Sequence, residues 1–280
     1  MSDQREELAI ERILVGLDTS YDSLAALQAA VELANGLGAR LHGMFVEDVN
    51  LLRVAELSVA RELSYPFATR SRLSPRRMRR QLRAQAEQAR QALSSLCQKR
   101  QVEWSFHVAQ GSVSAKVLEE AGKADLLCVG RASRPVLGRS DVGSTAARAA
   151  TEAPRSVLLV PRGTRIHPPI VVLYEDTPDA RRALVLASQL AQHVEGLLSV
   201  VVPAAVTGPS REIQKQITDQ LDAEGLVIRY RELIGSGVMS LIGAIQTEGG
   251  GVLVLGRSFL PPGDVEKLLN EVQRPVLLVR

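Results

Sequence analysis

Aromatic rings are scarce in this sequence: four Phe, four Tyr and one Trp among 280 residues. So few rings count against a base-stacking surface for single-stranded nucleic acid. They also leave the core to Leu, Val, Ile and Ala, the residues of buried parallel strands and their covering helices. Cys97 and Cys128 are the two cysteines, and His42, His107, His167 and His193 are scattered along the chain. Neither a disulfide framework nor a zinc ribbon is expected from them, and no metal ligand is assigned. No run approaches ~18 apolar residues, and the opening MSDQREELAIER is charged. A cytoplasmic protein without a membrane span is therefore expected.

What is present suffices for two cores. Hydrophobic residues make up 45% and charged residues 23% of the chain, about two domains' worth of sequence. Charge is unevenly divided. Residues 1–165 hold 24 Lys+Arg against 18 Asp+Glu, and residues 166–280 hold 10 against 13, balances of +6 and −3. An anion would favour the first half. Because 29 of the 34 basic residues are Arg, the excess can reflect genomic composition, and no nucleic-acid partner is expected.

The chain resembles itself. Residues 13–27 (ILVGLDTSYDSLAAL) align without gaps on 170–184 (IVVLYEDTPDARRAL), 125–131 (DLLCVGR) on 251–257 (GVLVLGR), and 155–160 (RSVLLV) on 274–279 (RPVLLV). Three landmarks in one order point to duplication, with a period too long for a solenoid. Each half alternates strand and helix. Strands are predicted at 12–17, 39–46, 102–109, 125–130 and 156–160. Helices are predicted at 21–37, 76–99, 112–122 and 143–152, the second with apolar residues three and four apart. The second half repeats strands near 169–174, 196–202, 226–233, 252–256 and 275–279. The fold class is therefore α/β, two tandem open parallel five-stranded sheets with helices on both faces. The domains are 1–162 and 168–280, joined by the proline-containing linker 163–169.

Ligands of open parallel sheets bind outside the carboxyl ends of the strands. Two loops of the first half carry suitable chemistry. Asp18, with Thr19 and Ser20 after the first strand, can accept from an exocyclic amine, and reads equally as a helix N-cap. After the fourth strand, Val129 and Gly130 would let backbone approach a ligand. Gly143, Ser144 and Thr145 open a helix whose free N–H groups and hydroxyls suit phosphate oxygens, or simply form its cap. Gly138 to Ser144 has P-loop spacing, but Ser144 stands where lysine belongs, so a true P-loop is rejected.

These residues give the chain a resemblance to a tandem universal stress protein, over nearly its whole length. The family's nucleotide signature, G-x2-G-x9-G-[ST], reads here Gly130-x2-Ser133-x9-Gly143-Ser144, with Ser133 replacing the middle glycine. The resemblance implies ATP or AMP, with or without Mg. Adenine would lie near Asp18 and Val46, and ribose and phosphates near Gly130, Ser133, Gly143, Ser144 and Thr145. It also implies pairing of the two halves through their last strands as an internal pseudo-dimer. Association of two whole chains and an unidentified protein partner are left open.

The second half lacks the equipment. Glu175 replaces Asp18, and Gly256 to Val276 spans 20 residues where Gly130 to Val157 spans 27. Leu269 stands where the third glycine would fall, so no nucleotide is expected there. Residues 70–80 hold six arginines, read as a solvated helix start or an anionic contact. Leu51, Leu52, Val54 and Leu57 suggest a short amphipathic helix over the crevice or in a dimer interface.

No G-x-S-x-G, H-E-x-x-H or Cys/His pairing is present. An adenine nucleotide alpha hydrolase-like enzyme would carry two glycines in the loop that here reads DTSYDS (18–23). The expectation is thus a nucleotide-responsive regulator or chaperone-like factor without catalytic residues. A nucleotide-free interaction scaffold is the alternative, and the hydrolase-like enzyme a more distant one.

Overall fold

The computed structural model describes residues 10–56, 61–64, 69–72, 74–132, 142–204, 211–221, 225–235, 237–249 and 251–280. In the first half the order is β1 (Arg12–Leu17), α1 (Tyr21–Leu37), β2 (Arg40–Asp48), α2 (Val49–Glu56), β3 (Arg61–Ser64), β4 (Thr69–Arg72) and α3 (Pro75–Arg100). Then come β5 (Trp104–Gly111), α4 (Val113–Ala121), β6 (Leu126–Gly130), α5 (Ser144–Glu152) and β7 (Ser156–Val160). The second half runs β8 (Ile170–Leu173), α6 (Pro178–His193), β9 (Leu197–Pro203), α7 (Arg211–Gln220), β10 (Val227–Leu233) and α8 (Val238–Thr247). It ends with β11 (Leu253–Gly256), a 3-10 turn, α9 (Pro262–Glu271) and β12 (Val276–Val279).

Ten strands form one sheet in the order β10-β9-β8-β11-β12-β7-β6-β1-β2-β5. Within each half neighbouring strands are parallel; between the halves β12 runs antiparallel to β7, with Leu277 opposite Leu158. The two expected five-stranded sheets thus run into one another through their last strands, where two apolar edge strands, VLLV in both, cover each other's open ladder. The stretch between β2 and α3 adds α2 and a small antiparallel β3–β4 ladder. Leu57, the last residue of the predicted amphipathic run, lies outside the described residues.

Alternating residues of each strand feed two apolar layers, since successive side chains point to opposite faces. One layer joins Ile13, Val15 and Leu17 to α1, α3 and α6. The other joins Leu14, Leu127 and Leu159 to α4, α5, α8 and α9. Both layers pass from one half into the other.

The two halves also repeat fine detail. Ser20 caps α1 by accepting from Ser23 N at 3.1 Å, and Thr177 caps α6 by accepting from Ala180 N at 3.3 Å. Asp22 in the first turn of α1 accepts from Ala132 N at 3.2 Å, and Asp179 of α6 from Ser258 N at 2.9 Å. In each case the donor stands two residues beyond a strand-end glycine, Gly130 or Gly256. Added Cβ atoms there would meet the backbone of Asp22 and Ser23 at 2.6–2.7 Å, or of Ala180 and Asp179 at 2.9–3.1 Å. Each glycine therefore lets a helix start lie directly against a strand end.

The halves are latched by buried arginine. Arg131, 2% exposed, donates to the carbonyls of Leu269 and Val272, both at 2.9 Å, and to Gln273 Oε1 at 2.7 Å. Arg257 donates in return to the carbonyl of Thr151 near the end of α5. Cationic donors complement the carbonyls left over at helix C-termini.

Candidate functional site

At the carboxyl ends of β1, β2, β6 and β7 lies a cavity of about 770 Å3. Sheet order explains its place. β1 connects through α1 to β2 on one side, while β6 flanks β1 on the other, so the loops leaving β1 and β6 diverge and open a crevice.

One wall is the turn from β1 into α1. Asp18 Oδ1 accepts from Ser20 N at 2.8 Å, while Ser23 Oγ accepts from Asp18 N at 2.9 Å and donates to the Asp18 carbonyl at 3.1 Å. The helix cap is Ser20 rather than Asp18. Asp18 shapes the turn instead, and it lines the cavity together with Thr19. Beside them β2 contributes Met44, Phe45, Val46 and Asp48, and α2 contributes Asn50 and Leu51. Asp48 Oδ1 accepts from Asn50 N at 2.9 Å, fixing the start of α2. Leu51 is 46% exposed while Leu52 packs on the core, so α2 lies along the crevice with an apolar residue free at its edge.

The opposite wall comes from β6, α4 and α5. Val129, Gly130, Ala132, Ser144 and Thr145 line it, with Ser112, Val113, Ser114 and Val117 from the start of α4. Gly143 is the N-cap of α5, with extended backbone at φ −65°. It is not among the residues that line the cavity, and its N–H donates to the Arg131 carbonyl at 2.8 Å. The N-terminus of α5 therefore faces the crevice through Ser144 and Thr145, with the free N–H groups and positive dipole end that favour anions. Gly130 lines the cavity too. Its missing Cβ makes room for α1, whose backbone an added Cβ would meet at 2.6–2.7 Å. Ser133 lies outside the described residues.

Asp18, Thr19, Val46, Val129, Gly130, Ser144 and Thr145 thus meet around one cavity. Sequence reasoning passes over Asp22, Asp48, Asn50, Gln85, Ser112, Ser114 and Arg162. Asp22 is buried, and its Oδ1 gathers the N–H groups of Ala132 and Arg162 at 3.2 and 3.3 Å, tying the loops after β6 and β7 to α1. Arg162 is an exposed cation on the cavity wall. Its position two residues after the last strand of the half is a usable signal, because that is a carboxyl end.

Burial shifts two ionisable groups. It lowers the Arg131 pKa from the ordinary guanidinium value, with the nearby Asp22 charge pulling upward. In the second half burial raises the pKa of Glu175, the residue aligned with Asp18.

A helix-covered, mostly parallel α/β sheet with a crevice at its strand ends defines the Rossmann-like class of this fold. The model of the universal stress protein family matches residues 9–161, and the chain belongs to that family. A universal stress protein from Archaeoglobus fulgidus DSM 4304 has the same fold at a TM-score of 0.70 and 12% identity, over 96% of this chain and 98% of its own. A functionally unknown protein from Pseudomonas aeruginosa PAO1 follows at 0.59 and 14% identity, over 98% and 94%. A further structure, of a universal stress protein from Pseudomonas aeruginosa UCBPP-PA14, gives 0.57 and 14% over the same shares. The likeness in fold thus extends over both halves. No curated protein matches the chain. Among the described residues no helix is long and apolar enough to cross a membrane.

Proposed function

We propose that the first half binds an adenine nucleotide, ATP or AMP with or without Mg, and that the chain is a nucleotide-responsive regulator or chaperone-like factor of stress tolerance in the cytoplasm. The observation that carries this reading is the convergence of Asp18 and Val46 on one wall, and of Gly130, Ser144 and Thr145 on the other, around one nucleotide-sized cavity. Asp18 and the apolar Val46 and Val129 suit a base. The α5 N-terminus, the Ser144 and Thr145 hydroxyls and the Arg162 guanidinium suit phosphate oxygens.

A binding role is favoured over catalysis by how the carboxylates are used. Asp18, Asp22 and Asp48 each hold a backbone N–H of a neighbouring turn, as shape-determining groups do. The second half serves as structural partner, and the two form an internal pseudo-dimer. The antiparallel β7–β12 pair and the reciprocal arginines support this.

Thermal unfolding with ATP and with AMP tests the reading. A bound nucleotide at a hundred times its Kd stabilises the wild type by about 2.7 kcal/mol. Asp18→Ala and Gly143→Val should remove the shift. A wild type unmoved by millimolar ATP and AMP would sink the proposal and leave the nucleotide-free scaffold.

A further inference from the structure

His42 and His107 are 65 residues apart in sequence and adjacent in space. β2 and β5 are parallel, with His42 beside Ser105 and His107 beside Met44. The two histidines are thus diagonal neighbours on one sheet face. Their rings stack with centroids 4.7 Å apart and planes 17° from parallel. His42 Nε2 lies 2.6 Å from His107 Nδ1. Over this pair passes the last turn of α4, which brings in Glu120. One ligand atom from each of His42, His107 and Glu120 lies within 4.8 Å of the others, and all three residues are half-buried.

We propose that His42, His107 and Glu120 form a site for a divalent first-row transition ion such as Zn2+, separate from the nucleotide cavity. The donor set is two imidazole nitrogens and one carboxylate, with a position left for water, a combination that zinc accepts. His42 Nδ1 lies 2.6 Å from Ser105 Oγ. That contact fixes the ring and directs Nε2 at the site, as outer partners of metal-bound histidines do. The two nitrogens lie at hydrogen-bond distance, 2.6 Å, with the donor set by the tautomers. A tetrahedral ion with Zn–N bonds of ~2.0–2.1 Å holds its nitrogens about 3.3 Å apart, so the rings part and turn for the metal to take the place of that hydrogen bond.

One other group bears on the site. Lys123 Nζ pairs with Glu120 Oε2 at 2.9 Å, but the lysine is 68% exposed. Such a surface pair is weak and readily displaced by a divalent cation.

The site joins the edge strand β5, β2 and α4, and α4 begins at the nucleotide cavity through Val113 and Ser114. Bound metal would pin the far end of that helix.

Untagged full-length protein, stripped with chelator and dialysed, is titrated with ZnCl2 by calorimetry and with Co2+ by visible absorption. The wild type should bind one ion per chain, give the intense d–d bands of low-coordinate Co2+, and melt at higher temperature with Zn2+. His107→Gln and Glu120→Gln should weaken binding by at least the roughly 10–100-fold that loss of an outer partner costs, and Ser105→Ala by about tenfold. Glu120 sits near a helix end, so its variant remains informative if His107→Gln fails to fold, which circular dichroism reports. A wild type that takes up neither ion overturns the proposal. So do folded His107→Gln or Glu120→Gln proteins that bind like wild type, since the pair would then be only two hydrogen-bonded histidines.

Discussion

Arg131 and Arg257 each reach from one half of the sheet to the end of a helix in the other. Arg131 follows the strand-end Gly130 and donates to the carbonyls of Leu269 and Val272; Arg257 follows Gly256 and donates to that of Thr151. The two aligned segments place the same side chain in the same role.

The latches differ in weight, and this is testable. Arg131 is 2% exposed, and Arg131→Met would leave buried carbonyls without their charged donor. A loss of about 2–4 kcal/mol is expected, because hydrogen bonds to charged groups are worth roughly 1.5–3 kcal/mol each and do not add fully. Arg257→Met should cost less. Arg257 is only half-buried, and Arg280 Nη2 also lies 3.2 Å from the Thr151 carbonyl and remains as donor. Urea unfolding of both variants checks the order; an equal loss would contradict it.

Gly130→Ala should destabilise through backbone contact rather than through lost ligand. The added methyl lies 2.6 Å from Asp22 C and 2.7 Å from Ser23 N, so α1 must move off β6. About 1–3 kcal/mol is the expected cost of such overpacking. Gly256→Ala has slightly more room, with its nearest neighbour, Ala180 N, at 2.9 Å, and should cost somewhat less. Melting temperatures without nucleotide decide it. If Gly130→Ala melts like wild type and only binds nucleotide less well, the packing argument fails.

Strand and helix periods, the repeat and the loops after β1 and β6 are legible in the sequence, because they follow from local patterns of apolar residues, caps and glycines. Asp18, Val46, Ser144 and Thr145 stand out because their neighbours along the chain carry the signal. What stays hidden is long-range. Nothing near Arg131 announces that it ends at Leu269, and His42 and His107 look scattered until parallel pairing of β2 with β5 sets their register. The packing of Gly130 on α1 stays hidden too, since a glycine needed by a ligand and one needed by a helix read alike. Arg162 and Asp22 escape notice because one looks like a linker cation and the other like an ordinary first-turn acid.

Both thiols should be inert in the folded protein. Burial pushes the Cys97 thiol up to about 11 and raises that of the fully buried Cys128 further. The native state therefore keeps these protons where the unfolded chain, with an ordinary value of 9.0, has released them. Stability is full below that value and declines as pH rises through it towards 11, since the folded state binds the extra protons. A thiol reagent at about pH 8, below the ordinary thiol pKa, should label neither cysteine in native protein and both after denaturation. Fast native labelling at either position would refute this, and Cys97→Ala should flatten part of the alkaline decline.

The halves should also differ in nucleotide stoichiometry. Asp18 and Glu175 occupy aligned positions, but their surroundings have diverged. Around Asp18 the chain leaves a cavity walled by β2, α4 and the start of α5. In the second half a 3-10 turn, Arg257–Phe259, follows β11 at once. Leu260 and Leu269 are buried in the apolar layer, and Phe259 packs against it. The segment after β11 thus buries apolar side chains, whereas the segment after β6 ends in the glycine-led start of α5. Burial also raises the Glu175 pKa, so a free carboxylate is less favoured there than in a solvated turn. Equilibrium dialysis with labelled ATP should give one nucleotide per chain. Asp18→Ala should bring this close to zero, while Glu175→Ala leaves it at one. Two nucleotides per chain, or a loss caused by Glu175→Ala alone, would mean that the second half had kept the site.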